Sequence, residues 1–377
     1  MFVAQDYSTT DTISVVSDSS DSVVANISLK TQSQGGGATL GALAYDPDRG
    51  EIFAPYSVSK PGCFCSEDYV AVISDSDNSV VANVSLGTTA SGGYGYVVYD
   101  SGKGEVFATI NDSLAIISDT NDTVVGTVGV GNGPEGLAYD SAKGEILVAD
   151  SRDFDGAVAV VSDSNNTVVA NITTAQIFNA AGITYDSAKS EAFVTPFGYY
   201  YNSSVLVYST TTNSMVAKVA LPYEIDIHPL AAYDSAKGEV FVPDGSTVCA
   251  ISDSSNTLLG CISVLPHEAS NAAYDSSKGE IFVTDWDNNA LVIVPDSTSL
   301  ASSTTTSPSS TTGITSSTSS SSGSSSSTSP SSIPEFPFVP ALSAAAVIGI
   351  VGGYLAMRRN KLAPMPARGR GRDCLKE

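Results

Sequence analysis

One phrase recurs along this chain and restricts its fold more than any other feature. It consists of Ala-Tyr-Asp, a short polar turn, Gly-Glu, and then a β-branched or aromatic run. It stands at Ala44-Tyr-Asp46 with Gly50-Glu-Ile-Phe53, at Val98-Tyr-Asp100 with Gly104-Glu-Val-Phe107, and at Ala138-Tyr-Asp140 with Gly144-Glu-Ile-Leu147. It returns at Thr184-Tyr-Asp186 with Ser190-Glu-Ala-Phe193, at Ala232-Tyr-Asp234 with Gly238-Glu-Val-Phe241, and at Ala273-Tyr-Asp275 with Gly279-Glu-Ile-Phe282. A second phrase alternates with it, typified by Val158-Ala-Val-Val-Ser-Asp163, Ser164-Asn-Asn-Thr167 and Val168-Val-Ala-Asn-Ile172. Its variants begin near Ile13, Val70, Leu114, Val205, Val248 and Leu291. The step between repeats is about 40 to 54 residues, the range of propeller blades and too long for leucine-rich or ankyrin units.

Each repeat reads as four short strands: A (Ala-Tyr-Asp), B (Glu-Ile-Phe-Val), C (Val-Ala-Val-Ile-Ser-Asp) and D (Val-Val-Ala-Asn-Ile). Asp-Ser-Ala-Lys-Gly between A and B, and Asp-Ser-Asn-Asn between C and D, are hairpin chemistry. Strands apolar on both faces suit sheets sandwiched between neighbours. No helical periodicity of useful length precedes the C-terminal region. Strands B and C occur seven times, with Met1-Phe-Val-Ala4 as the first B, while A and D occur six times each. The expected fold is therefore all-β, a seven-bladed β-propeller of four-stranded antiparallel blades over residues 1–296 with an incomplete first blade. Six blades with spare strands is the alternative.

The repeat resembles the YVTN-type β-propeller repeat of archaeal surface-layer and related proteins. Phe282-Val-Thr-Asp285 and Phe193-Val-Thr-Pro196 stand where that family has Tyr-Val-Thr-Asn, and Val-Val-Ala-Asn-Ile-Ser at 23–28 matches its Val-Val-Ala-Thr-Ile strand. The resemblance spans about residues 1–296. It implies the fold more narrowly than the activity, because members include surface proteins, solute binders and lactonase-like enzymes.

Composition changes abruptly after the repeats. Residues 297–332 are almost wholly Ser and Thr with some Pro and Gly, too little apolar area to offset ordering entropy. A disordered, O-glycosylated stalk is expected. Within 333–357, Pro334-Glu-Phe-Pro337 resembles the Pro-Glu-Phe sorting signals processed by archaeosortase-like enzymes, and Phe338 to Met357 runs uncharged for about twenty residues. That is enough for one transmembrane helix. Arg358, Arg359 and Lys361 open a basic tail, 358–377, that is cytoplasmic by the positive-inside rule and leaves the propeller extracellular. Either a permanent single-pass anchor or cleavage with lipid transfer fits. Met1 opens directly onto a strand, so an exported protein is expected to start upstream. Seven sequons, at Asn26, Asn83, Asn111, Asn121, Asn165, Asn171 and Asn202, are glycosylation candidates that suit an exterior address.

The net charge is −23, and because the last twenty residues carry +5, the remainder is at −28. Nucleic-acid phosphates would repel such a body, so nucleic acid is not an expected partner. Cys249 and Cys261 lie nearly symmetrically about the Asp253-Ser-Ser-Asn256 turn, placed for a cross-strand disulfide in an oxidising compartment or for two buried thiols.

In such blades the A–B and C–D turns share one rim and the B–C and D–A loops the other. The first set is near-identical between repeats, as scaffold turns are. B–C loops vary and carry aromatics: Tyr56 to Tyr69, Ser151-Arg-Asp-Phe-Asp155 with Phe154, Phe197-Gly-Tyr-Tyr-Tyr-Asn202 with Tyr199, Tyr200 and Tyr201, and Asp285-Trp-Asp287 with Trp286. Variable loops on a rigid scaffold are where recognition sits, and these aromatics suit a sugar or a partner protein as well as simple capping of blade ends. His228 and His267 fall in D–A loops near the channel, as a metal pair or as ordinary loop residues. Turn-forming Asx residues explain the Asp-Ser-Asp-Asn turns without an ion, structural calcium being the alternative, and no cofactor is expected. No nucleophile elbow, zinc-binding helix motif, phosphate-cradling loop or Cys/His cluster is present, so a non-catalytic surface protein, binding a cell-surface protein or glycan or coating the cell, is expected. A lactonase-like site of channel carboxylates, or a solute-binding propeller, is the alternative.

Overall fold

Every repeat becomes one antiparallel sheet, and seven sheets follow one another as the blades of a propeller. The computed structural model describes residues 1–5, 12–29, 38–60, 62, 65–89, 95–131, 133–151, 157–173, 180–196, 203–222, 229–264, 269–285 and 290–296. The Ser/Thr tract, the apolar segment and the basic tail lie outside them. Among the described residues no helix is long and apolar enough to cross a membrane.

Blade 4 is representative, with A at Pro134–Asp140, B at Glu145–Asp150, C at Ala157–Ser162 and D at Thr167–Thr173, each paired to the next. Blade 2 has its A strand in two pieces, Ala38–Leu40 and Ala44–Asp46. Among the described residues blade 1 has only B (Phe2–Gln5), C (Thr12–Ser17) and D (Ser22–Ser28), and blade 7 only A (Ala269–Asp275), B (Glu280–Asp285) and C (Ala290–Pro295). The strand count expected from the repeats is the one observed, seven blades with an incomplete first.

Both faces of a blade are buried because each is packed against a neighbour. In strand B of blade 4, Ile146 and Val148 face the cluster of Phe107, Leu114 and Ile116, whereas Leu147 and Ala149 face that of Ile183, Val194 and Leu206. Alternation of period two thus delivers apolar side chains to both sides. One position of strand B is filled by Phe53, Phe107, Phe193 and Phe241, all essentially fully buried. Truncating one such ring to alanine removes about 3–5 kcal/mol.

The C–D hairpins repeat one irregularity. The register shifts at Val15/Val16, Val72/Ile73, Ile116/Ile117, Val160/Val161, Val207/Tyr208 and Ala250/Ile251. Asp21, Asn78, Asp122, Asn166, Asn213 and Asn256 in the turns that follow take φ between 48° and 58°. Asn and Asp are the residues besides glycine that tolerate this left-handed region, which is why the turns read Asp-Ser-Asn-Asn.

Candidate functional site

The two rims differ in what their residues do. On the rim of A–B and C–D turns, Asp140 shows the recurring arrangement. Its Oδ1 accepts from the backbone N–H of Ala142 at 3.0 Å and of Lys143 at 3.2 Å, closing its own turn, and from the Tyr185 hydroxyl of blade 5 at 2.6 Å. Tyr99, Tyr139, Tyr233 and Tyr274 likewise stand beside Asp46, Asp100, Asp186 and Asp234 of the preceding blade, and the hydroxyls of Tyr99, Tyr233 and Tyr274 donate to Asp119, Asp253 and Asp296 of their own blades at 3.2, 3.2 and 3.4 Å. The five aspartates of the preceding blades, Asp140 among them, are fully buried. Burial, then the adjacent carboxylates, pushes the tyrosine pKa values up, that of Tyr185 to about 12.

A lysine reaches across four of these five junctions in the other direction; at the junction of blades 2 and 3 the position is Arg49, paired with Glu51 of its own blade. Lys103 donates to the Asp163 carbonyl, Lys143 to that of Thr210, Lys189 to that of Asp253 and Lys237 to that of Asp296. Lys278 joins the last blade to the first, 2.7 Å from Asp21 and 3.5 Å from Asp18. Carboxylates still outnumber cations here. Burial, followed by the charge of Asp100, holds Asp163 above the usual carboxylate range, and burial raises Glu105 and Glu239 likewise. The near-identical turns therefore serve as latches between blades, and their side chains are committed to one another.

The opposite rim carries the B–C connections. They are two residues long in blade 3 (Asn111-Asp112) and blade 6 (Gly245-Ser246), and longer elsewhere. Blade 2 departs most. The stretch Tyr56 to Tyr69, expected as a loop, is largely a hairpin: strand B runs Glu51–Ser59 and strand C Ser66–Ser74 in unbroken register. Strand B is nine residues against six in blades 3 to 7, so the hairpin projects about 10 Å further than its neighbours. Tyr56 and Tyr69 pair across it with stacked rings 5.2 Å apart. Cross-strand aromatic pairing supplied the hydrogen-bonded ladder with a reason to continue. Tyr56 donates to Asn83 Oδ1 at 3.1 Å, Tyr69 to Glu67 at 2.8 Å, and Lys60 bridges to Glu67 at 2.7 Å.

Phe154, Tyr199, Tyr200, Tyr201, His228, His267 and Trp286 all lie outside the described residues. The residues flanking them are placed. Asp150, Asp244 and Asp285, at the ends of three B strands, are nearly or fully buried on this rim. Thr195 donates to the Pro229 carbonyl at 2.6 Å and Leu230 N to Asn271 Oδ1 at 3.1 Å, tying inner strands of neighbouring blades together. These strands approach very closely, since a Cβ on Gly182 would stand 2.1 Å from the Pro229 carbonyl oxygen. Among the described residues no group of three or more His, Cys, Asp and Glu is placed to hold a metal ion.

The six sequon asparagines within the described residues are all exposed. Asn26, Asn83 and Asn171 occupy the same position of strand D in blades 1, 2 and 4; Asn121 and Asn165 sit in C–D turns and Asn111 in a B–C turn. Asn202 lies outside the described residues. Cys249 and Cys261 are directly paired across strands C and D of blade 6 and form a disulfide.

No protein-family model and no curated protein matches this sequence. Solved structures of other propellers do. Hydrazine synthase of Kuenenia stuttgartiensis superposes with TM-score 0.61 at 11% identity, over 75% of this chain and 89% of that one. A chain of the mitotic checkpoint complex gives 0.61 at 11%, over 78% and 82%, and the WD40 β-propeller domain of Doa1 gives 0.54 at 12%, over 77% and 87%. At such identities the likeness is one of fold, and it extends to an enzyme as well as to a WD40 domain.

Proposed function

We propose that this protein is a non-catalytic cell-surface propeller that recognises a surface protein or glycan with its B–C rim, held on a Ser/Thr-rich stalk by a C-terminal membrane segment. The observation that carries this reading is the division of labour between the rims. Latch contacts occupy the turn rim, whereas the B–C rim carries the variable, aromatic-rich connections and the projecting Tyr56–Tyr69 hairpin. Aromatic side chains on a rigid scaffold are efficient contact groups because they bury much area for little lost rotamer freedom, and in this hairpin Tyr69 is half-buried while Tyr56 is buried beneath it.

Three features support the surface address: the exposed sequons, the acidic body, and the uncharged stretch from Phe338 to Met357 followed by basic residues. The resemblance to YVTN-type surface-layer repeats and to Pro-Glu-Phe sorting signals points the same way. The test is protease shaving of intact cells followed by mass spectrometry of the released and retained fractions. Glycosylated propeller peptides in the released fraction, with the basic tail retained, are expected. Unmodified sequons and a propeller protected until lysis would sink the reading.

A further inference from the structure

The circumference of the ring repeats an exposure that packing within the blades does not explain. Strand D ends each of the first six sheets, so its outer edge pairs with no described strand. In each of these strands the register shift leaves one residue without a partner across the ladder: Val24, Val81, Val125, Val169, Val216 and Leu259. All six are apolar, and they are 40% to 60% exposed. A bulge turns a strand edge away from intruding strands, but nothing in its geometry calls for an apolar side chain. Six such groups on unpaired edges form a surface that another molecule would cover.

Two residues further along, on the same side of the strand, stand Asn26, Asn83 and Asn171 in blades 1, 2 and 4 and Lys218 in blade 5, all exposed. Lys218 is the sole charged residue in any of the described D strands. The three asparagines open the sequons Asn26-Ile-Ser28, Asn83-Val-Ser85 and Asn171-Ile-Thr173. Ile27, Val84 and Ile172 between them are buried, which holds each asparagine outward. Two of the amides are oriented as well, because Ser14 donates to Asn26 Oδ1 at 2.8 Å and Tyr56 to Asn83 Oδ1 at 3.1 Å. With the oxygen engaged by the sheet, Nδ2, the atom that carries an N-linked glycan, is left on the far side of the amide. Thr127 and Cys261 fill the position in blades 3 and 6, which are not neighbours.

We propose that N-linked glycans at Asn26, Asn83 and Asn171 cover the bulged valines two residues before them and, with Lys218, keep the outer edges from pairing with another copy of the chain. A separation of about 7 Å along the strand puts each valine beneath the first sugar. The apolar C–H face of that sugar lies on the methyl groups, its hydroxyls face water, and its bulk blocks an approaching strand. In blade 5 the charge and hydration of Lys218 do the blocking. The inference rests on the exterior, glycosylated address proposed above. It gives the turn sequons Asn111, Asn121 and Asn165 no part in the shielding.

The test uses the full chain, purified in detergent from a host that glycosylates it, with peptide mass spectrometry and sedimentation velocity as readouts. Glycans on Asn26, Asn83 and Asn171 are expected. Replacing these three by glutamine is expected to lower the concentration at which copies associate by about tenfold or more. The same change at Asn111, Asn121 and Asn165 should leave that concentration where it is in the parent protein. Adding Val24→Thr, Val81→Thr and Val169→Thr to the first variant should restore the parent behaviour, because the edge then offers no apolar contact. Equal association of the two glutamine variants overturns the proposal, as does association that survives the threonine changes. Bare strand-D asparagines beside glycosylated turn asparagines overturn it and leave the surface address standing, whereas bare asparagines throughout overturn both.

Discussion

Ser190 and Thr210 face each other in blade 5 as a matched exception to the rest of the ring. Thr210 donates to the Ser190 carbonyl through its backbone N–H at 2.9 Å and its hydroxyl at 3.1 Å. Blades 2, 3, 4, 6 and 7 have glycine and aspartate at these places. A Cβ on Gly50, Gly104, Gly144 or Gly238 would stand 2.6 Å from the facing carboxylate, and one on Gly279 2.9 Å from it. Ser190 keeps the left-handed φ of 56° and carries a Cβ; the shorter threonine opposite makes room for it.

That relationship sets the first prediction. Gly144→Ser puts a Cβ against the Asp163 carboxylate and a non-glycine residue at φ +67°, and is expected to cost about 1–3 kcal/mol. Combining it with Asp163→Thr should cost less than the sum of the two single changes by about 1 kcal/mol, read from a denaturant double-mutant cycle. Strict additivity would mean that the pair is coincidental.

The inter-blade ladder predicts unequal effects of one chemical change. Tyr185→Phe removes the 2.6 Å hydrogen bond to buried Asp140 and should cost about 1–2 kcal/mol, whereas Tyr45→Phe at the exposed end should stay within about 0.5 kcal/mol. The Tyr185 hydroxyl has its pKa raised from the unfolded value near 10 to about 12, so the stability it contributes is present below pH 10 and lost as pH rises toward 12. Alkaline unfolding in that window, less steep in the Tyr185→Phe variant, is the expected titration.

Crowded carboxylates act in the opposite direction from the usual acid lability. Asp163 is raised by burial and then by Asp100, so its protonated form is favoured in the folded state. The stability linked to it is present below the ordinary carboxylate range and is lost as pH rises through the raised value. Asp163→Asn should therefore gain stability relative to the parent protein at pH 7.5 and lose that advantage near pH 4, as measured by urea unfolding at both. An equal difference at the two pH values would show that Asp163 bears no such burden.

Blade 6 is held by a covalent link as well as by packing. The Cys249–Cys261 disulfide closes a span of 12 residues between strands C and D. Replacing both cysteines by alanine should lower stability by about 2–3 kcal/mol, and a reducing agent should lower the Tm of the parent protein and leave the double variant unchanged.

Much of the architecture was legible without coordinates. Alternation of period two, Asx-rich turns and a repeat of constant phrase length are written within a few residues of one another, so the seven B and C strands and the incomplete first blade could be counted directly. Symmetry about one turn set Cys249 opposite Cys261 but left a disulfide and two buried thiols as equal alternatives, because the redox state is not written in the spacing. The Tyr56 to Tyr69 stretch was misjudged as a loop because two tyrosines stacking across a ladder look, in sequence, like aromatics in a variable connection.

What the sequence by itself determined was thus the strands, the turns that join them and the number of blades, because each depends on local hydrogen bonding and on neighbours a few residues away. Only the tertiary structure decided what the repeated Tyr-Asp is for. Tyr185 meets Asp140 at a separation of 45 residues, and Lys278 meets Asp21 at 257, through the stacking of twisted sheets around an axis that no single repeat contains.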